Sequence, residues 1–251
     1  MKRINSIDII RSKLRDGGVT IGSWMQIPNA SIAEIMGQSG YDWVAIDMEH
    51  GSVGHHQLPN LFRSLELGGT LPLVRLAEGT LKESKQALDA GAGGIIVPMV
   101  LTATQLISMR DASRWPPAGT RGVGFSRANL FGKNFDSYQK EAQAPLLIAM
   151  IEHLQAVENL DEILAVDGLD AILIGPYDLT SSMGLTAQFD HPDVKKVMTT
   201  ILDKSKKANV AAGIHVVKPS YVELNQRISE GYRFLAYSID ACFLISASGR
   251  P

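Results

Sequence analysis

Residues 145–184 read PLLIAMIEHLQAVENLDEILAVDGLDAILIGPYDLTSSMG. Two short apolar runs stand in this stretch, Leu146–Ile151 and Ala171–Ile174. Both are rich in leucine and isoleucine, the composition of strands buried on both faces. Between them Val157, Leu160, Ile163 and Leu164 share one side of a helical pattern, so the unit reads strand–helix–strand. An acid follows each strand: Glu152 directly after the first, Asp178 after the turn Gly175-Pro176-Tyr177 that closes the second. Adjacent parallel strands lie about 5 Å apart, so carboxylates at their ends can converge on one ion. The competing reading makes each acid a cap of the helix that follows it. Spacing alone does not separate the two.

Working outward, the same alternation recurs along the chain. A charged amphipathic helix over residues 6–15 ends at Gly17-Gly18, and strands follow at 19–25, 42–47, 71–75 and 94–99. Helical patterns at 29–38, 56–67, 80–90 and 102–114 separate or follow these strands, with Gly91 as a C-terminal stop. Residues 115–134 hold too many glycines and prolines for regular structure. A helix over 135–142 leads into the opening unit. Beyond it come a basic helix at 191–209, a strand at 210–216, a helix at 219–230, a strand at 233–238 and an apolar helix at 239–247. Eight strands alternating with helices in 251 residues, without a composition break, predict a single-domain (β/α)8 TIM barrel over residues 1–251. A doubly wound open sheet is the alternative, but no dinucleotide-type glycine fingerprint follows Gly22.

Composition narrows the function classes. Apolar residues make up 45% of the chain and net charge is −2, with no dense basic run. Neither nucleic acid nor an anionic membrane is an expected partner. A single cysteine, Cys242, rules out an intrachain disulfide and reads as a small core residue. No signal-type or bilayer-length apolar run is present, so a cytoplasmic location is expected.

The polar residues collect at the C-terminal ends of the strands, where barrel enzymes place their sites. Asp47, Glu49 and His50 follow the second strand, Arg75 ends the third, Glu152 and Asp178 follow the fifth and sixth, and His215 lies in the seventh. Charges of no consequence would scatter to both ends. Two carboxylates without a cysteine or a close histidine pair form a hard oxygen site suited to Mg²⁺ or Mn²⁺. Such an ion, chelated by a 2-oxo acid, would polarise its carbonyl and stabilise an enolate. Arg75 would add a fixed cation, or simply pair with a rim acid; His50 would serve as base, oriented by Asp47, Glu49 or Asp89. Asp89 by itself reads as an ordinary late-helix acid, and His215 as a hydrogen-bonded core histidine. No lysine lies in a strand, which argues against an imine mechanism.

These segments resemble the HpcH/HpaI aldolase family of class II pyruvate aldolases. Beside residues 150–184, the matching pieces are AIDMEHG (45–51), LVRL (73–76), ALDAGAGGIIVPMV (87–100) and GTRGVGFSRA (119–128). The resemblance implies a barrel whose last helix is exchanged between subunits of a homo-oligomer, usually a hexamer. It implies Glu152 and Asp178 as ligands of a divalent metal, Mg²⁺ or Mn²⁺ first, with Co²⁺ or Zn²⁺ as further ions. It implies Arg75 on the enolate oxygen, His50 in water-assisted proton transfer with Asp89 as its paired acid, and Asp47 near that dyad. Backbone amides around Pro176, Tyr177 and Asp178 would cradle the oxo-acid carboxylate. The implied activity is reversible cleavage of a 4-hydroxy-2-oxo acid to pyruvate and an aldehyde. A citrate-lyase-β or malyl-CoA-type lyase and a silent oxo-acid-binding barrel are the alternatives. Met150, His153 and the loop GVGFSRANLFG depart from familiar members, and Ser126 and Arg127 are taken as possible acceptor contacts.

Overall fold

The computed structural model describes residues 3–249. Helix α1 (Arg3–Arg15) buries Ile7, Ile10 and Leu14, three residues on one side of its 3.6-residue repeat. They pack beneath the barrel against the strand starts Leu71, Leu146, Ala171 and Phe234, so α1 plugs the N-terminal end. Ion pairs hold it there, among them Arg11 Nε to Asp170 at 2.6 Å and Lys13 Nζ to Asp42 at 3.1 Å.

Eight parallel strands close into a barrel in sequence order. They are β1 (Thr20–Met25), β2 (Trp43–Asp47), β3 (Leu71–Arg75), β4 (Gly94–Val97), β5 (Leu146–Ile151), β6 (Ala171–Ile174), β7 (Ala211–Val216) and β8 (Phe234–Ile239). The helices between them are α2 (Ala30–Gly37), α3 (Leu58–Leu67), α4 (Leu81–Ala90), α5 (Ala103–Ser113), α6 (Phe135–Ala142), the pair α7 (Leu154–Glu158) and α8 (Leu160–Leu164), α9 (Pro176–Ser182), α10 (Pro192–Ala208) and α11 (Tyr221–Glu230). Helix α12 (Asp240–Ala247) follows β8. The open-sheet alternative is thereby excluded. Among the described residues no helix is long and apolar enough to cross a membrane.

The period of two along each strand divides the apolar residues between two cores. Trp43, Ala45, Leu73, Ile96, Ile148, Met150 and Leu173 fill the barrel interior. Val44, Ile46, Val74, Ile95, Leu147 and Ile172 face the helices. The interior is tightly filled: Trp43 stacks on Phe234 with ring centroids 4.2 Å apart. Gly22 makes that possible, because a side chain there would meet the Trp43 ring at about 2 Å. The same parity carries Asp47, Arg75, Glu152 and His215 inward at the C-terminal layer.

Three local expectations shift. The helical pattern after β5 is split at Asn159, whose side-chain amide donates to the Leu101 carbonyl at 2.8 Å. Strand β4 stops at Val97, and Met99 takes a left-handed backbone with φ 49°. The stretch Gly175-Pro176-Tyr177 is the start of α9 rather than a separate turn, with Pro176 in its first turn where no N–H is required. In α12, Leu244 and Ile245 remain exposed in the single chain, and Cys242 is half-buried and free.

Candidate active site

A cavity of about 380 Å³ opens at the C-terminal end of the barrel. His50, Arg75, Glu152 and Asp178 line it together, each delivered by a different strand end. Trp24, Gln26, Pro176, Tyr177 and His215 complete much of the wall.

Glu152 does not cap the following helix. The cap is His153, whose Nδ1 accepts from the Gln155 N–H at 3.1 Å. Glu152 is instead 3% exposed, and its Oε2 accepts from the backbone N–H of Met99 at 2.9 Å. The left-handed turn at Met99 aims that N–H. Gln105 braces the turn, donating to the Met99 carbonyl at 3.1 Å and accepting from the Leu101 N–H at 2.8 Å. Burial pushes the Glu152 carboxyl up to about 7, and the charges of Glu49 and Asp178 push the same way against Met99 and Arg75. Asp178 lies in the first turn of α9, whose cap residue is Gly175, so it too is no cap.

Arg75 is fully engaged on its inner side. Its Nε and Nη2 donate to the two oxygens of Asp47 at 2.9 and 2.7 Å, and its Nη1 pairs with Glu49 at 2.8 Å. The two hydrogen bonds to Asp47 use two of the five guanidinium N–H groups, and the Glu49 contact is an ion pair beside them. The guanidinium also lies over Trp24, 5.3 Å from the ring centroid. Asp47 is wholly buried and accepts further bonds from Gln26 Nε2 at 2.8 Å and the amides of Glu49 and His50 at 3.1 Å. Burial alone would raise its pKa, but the Arg75 bond and charge prevail and hold it below the usual carboxylate range. Burial raises Glu49, with Arg75 and His50 opposing. The expectation of Asp47 as a rim acid therefore becomes a buried anchor for Arg75.

Asp89 is not brought to His50 within one chain. It sits near the end of α4 in a separate surface depression with His55, His56, Lys82 and Lys85. Arg127 is likewise away from the cavity: it pairs with Glu66 and donates to the Ala90 carbonyl at 3.1 Å. Ser126 precedes the short 3-10 turn Arg127–Asn129 beside it, and its N–H donates to Asn129 Oδ1 at 3.0 Å. In the single chain neither Ser126 nor Arg127 lines the cavity.

Residues 20–247 match the family described as HpcH/HpaI aldolase/citrate lyase. The chain belongs to that family. It is 36% identical over 237 residues to 2-keto-3-deoxy-L-rhamnonate aldolase of Salmonella gallinarum, covering 93% of this chain and 88% of that one. It is 35% identical over 243 residues to hydroxypyruvate/pyruvate aldolase of Roseobacter denitrificans, covering 96% and 94%. A crystal structure of a family member from Burkholderia cenocepacia J2315 superposes with a TM-score of 0.89 at 32% identity, covering 96% of each chain. The protein is thus a carbon–carbon lyase of the aldolase type, which sets aside the silent-barrel alternative.

Within this HpcH/HpaI barrel, several wall residues were not singled out from the sequence. Gln26 and Trp24 end β1 and follow its inward parity, a signal that was present but unused. The Met99 N–H had no sequence signal, because it depends on a backbone turn that only the packing of Gln105 defines. His215, read as a core histidine, does hydrogen-bond the Ser238 carbonyl through Nε2 at 3.0 Å, yet it also lines the cavity.

Proposed function

We propose that the protein is a divalent-metal-dependent class II aldolase that cleaves a 4-hydroxy-2-oxo acid to pyruvate, or a close 2-oxo acid, and an aldehyde. The observation that carries this is a charge imbalance. Asp47, Glu49, Glu152 and Asp178 act on the cavity region, and among the described residues Arg75 is the only lysine or arginine lining it. The Glu152 carboxyl, pushed up to about 7 first by burial and then by the charges of Glu49 and Asp178, marks a place short of positive charge. Glu152 and Asp178 would hold the ion. Among the described residues no three His, Cys, Asp or Glu side chains converge as a metal site. Water and substrate oxygens would therefore complete the shell, as oxygen-loving Mg²⁺ or Mn²⁺ prefers.

A bound cation supplies Lewis-acid polarisation of the 2-oxo group. The chain's own residues do the rest. The N–H groups of Arg75 that are not bonded to Asp47 stabilise the negative charge that grows on the C2 oxygen as the C3–C4 bond breaks. The first-turn N–H groups of Tyr177 and Asp178 have no intrahelical acceptor and orient the substrate carboxylate. His50, exposed at the rim with its amide fixed by Asp47, takes the proton of the 4-hydroxyl through water and returns one to the enolate carbon in the sequence of steps. Asp89 has no place in this scheme within one chain.

The exposed apolar residues Leu244 and Ile245 on α12, with Phe125 and Phe131 in the 115–134 segment, support assembly into a homo-oligomer. The family resemblance makes a hexamer the form to look for, in the cytoplasm. The test is exchange of pyruvate methyl protons with deuterium, with and without added Mn²⁺. Metal-dependent exchange that is lost in Glu152→Ala and Asp178→Ala upholds the reading; exchange that persists in both variants with chelator present overturns it. Cleavage of free acids but not coenzyme A thioesters separates it from the citrate-lyase-β type.

A further inference from the structure

His215 is a histidine in the inward-facing row of a barrel strand, above Ala211 and Gly213, with the charges of Arg75 and Asp47 near enough to act on it. Its surroundings are built rather than incidental. The imidazole lies against Trp24, with ring centroids 5.2 Å apart and planes tilted by 36°. Its Nε2 faces the Ser238 carbonyl at 3.0 Å. A carbonyl only accepts, so Nε2 carries the proton and Nδ1 presents a lone pair. Ser238 is wholly buried and holds the left-handed conformation, φ 58°, that a non-glycine residue rarely adopts. Its hydroxyl donates to the Val217 carbonyl at 3.1 Å, which ties the β8 end to the β7 end and fixes the carbonyl that His215 uses.

Among the described residues Nδ1 has no hydrogen-bond partner, and the ring that bears it lines the cavity. Burial and the nearby Arg75 charge lower His215 to about 4, so the ring stays neutral at physiological pH. A neutral imidazole with its N–H already used is an acceptor. It favours a hydroxyl and disfavours a carboxylate. The cavity offers a second argument of the same sign. Among the described residues its only arginine or lysine, Arg75, is already paired with Asp47 and Glu49. A distal carboxylate on the aldehyde would find no free cation among these lining residues.

We propose that His215 is a specificity-determining residue whose Nδ1 accepts a hydrogen bond from a hydroxyl of the aldehyde, so that the enzyme's acceptors are uncharged hydroxyaldehydes. This rests on the aldolase reading above and adds the substrate class to it. A site that hydrogen-bonds a substrate hydroxyl rejects the analogue without one, because its own polar group is then left unpaired.

The experiment measures kcat/KM for addition of pyruvate to glycolaldehyde, to acetaldehyde as its deoxy counterpart and to succinic semialdehyde, with Mn²⁺ on the full chain. The wild type is expected to favour glycolaldehyde over each of the others by about tenfold. In His215→Leu the glycolaldehyde/acetaldehyde ratio falls to about one, and the ratio cancels any change common to both aldehydes. His215→Asn keeps an acceptor close to the Nδ1 position and restores most of the ratio, whereas His215→Gln does not. If His215→Leu is inactive, the contrast between the Asn and Gln variants decides the matter. A wild type without the preference, or a ratio unchanged in His215→Leu and equal in the Asn and Gln variants, overturns the proposal. Failure of the aldolase reading looks different: the wild type then shows no metal-dependent exchange of pyruvate protons at all.

Discussion

A methyl group on Gly175 would lie 2.5 Å from Oε1 of Glu152. Gly175 is the residue that closes β6 and opens α9, and its missing side chain is the space in which the buried carboxylate rests. Its backbone has no left-handed strain to relieve, so the requirement is proximity alone. Gly175→Ala should therefore turn Glu152 away from Asp178 while leaving the barrel folded. The expected result is at least a tenfold loss of Mn²⁺ affinity by calorimetry, with thermal stability lowered by about 1–3 kcal/mol.

The Asp47–Arg75 pair is buried on both sides, and removing one partner leaves the other charge uncompensated. Asp47→Asn should destabilise the fold by about 3–5 kcal/mol in denaturant titration. Arg75→Lys should be milder for stability but severe for turnover. A lysine cannot donate to both Asp47 oxygens and to Glu49 while keeping N–H groups for a substrate oxygen. A fall in kcat of roughly 10² or more is expected in steady-state kinetics.

Gln105 touches no cavity surface and holds the Met99 turn from behind. Gln105→Leu should loosen that turn and weaken the Met99 N–H bond to Glu152. Metal affinity is expected to drop several-fold, with the circular dichroism of the barrel unchanged. An affinity equal to that of the wild type would show that Met99 holds its turn without help.

His215 also shapes the acid limb of stability. Its folded pKa is lowered to about 4 from an ordinary 6.5, so the unfolded chain binds its proton first as pH falls. The contribution is complete above about pH 6.5 and is lost progressively down to about pH 4. At most about 3 kcal/mol is involved. His215→Gln should flatten this part of the curve, and unchanged steepness between pH 6.5 and 4 in that variant would contradict the assignment.

Much of this was legible in the chain. Leu71–Arg75, Phe135–Ala142, Leu146–Ile151 and Ala171–Ile174 were readable to the residue, because short apolar runs bounded by charges or glycine have few alternatives. The clustering of His50, Arg75, Glu152 and Asp178 followed from the strand ends alone. What escaped were the features that arise from packing between distant segments. Neither the Met99 turn nor the space at Gly175 can be seen without knowing where Glu152 lies. Asp89 is a different case: the resemblance pairs it with His50, and within one chain α4 holds it in a separate depression, so the single chain does not supply that contact. His215 was discounted because a strand histidine is commonly satisfied in the core. It is satisfied, through one nitrogen, and the other remains to be used.

Helix α1 closes the far end of the barrel, so reactants and products share a single doorway. Glu152 and Arg75 sit deep and nearly closed to solvent, while Tyr177 and His50 stand at the threshold. The fragment released next to the threshold must depart before the one lodged behind it. Kinetics should follow that queue: the aldehyde leaves first and the oxo acid last, and in synthesis the oxo acid must be seated before the aldehyde arrives.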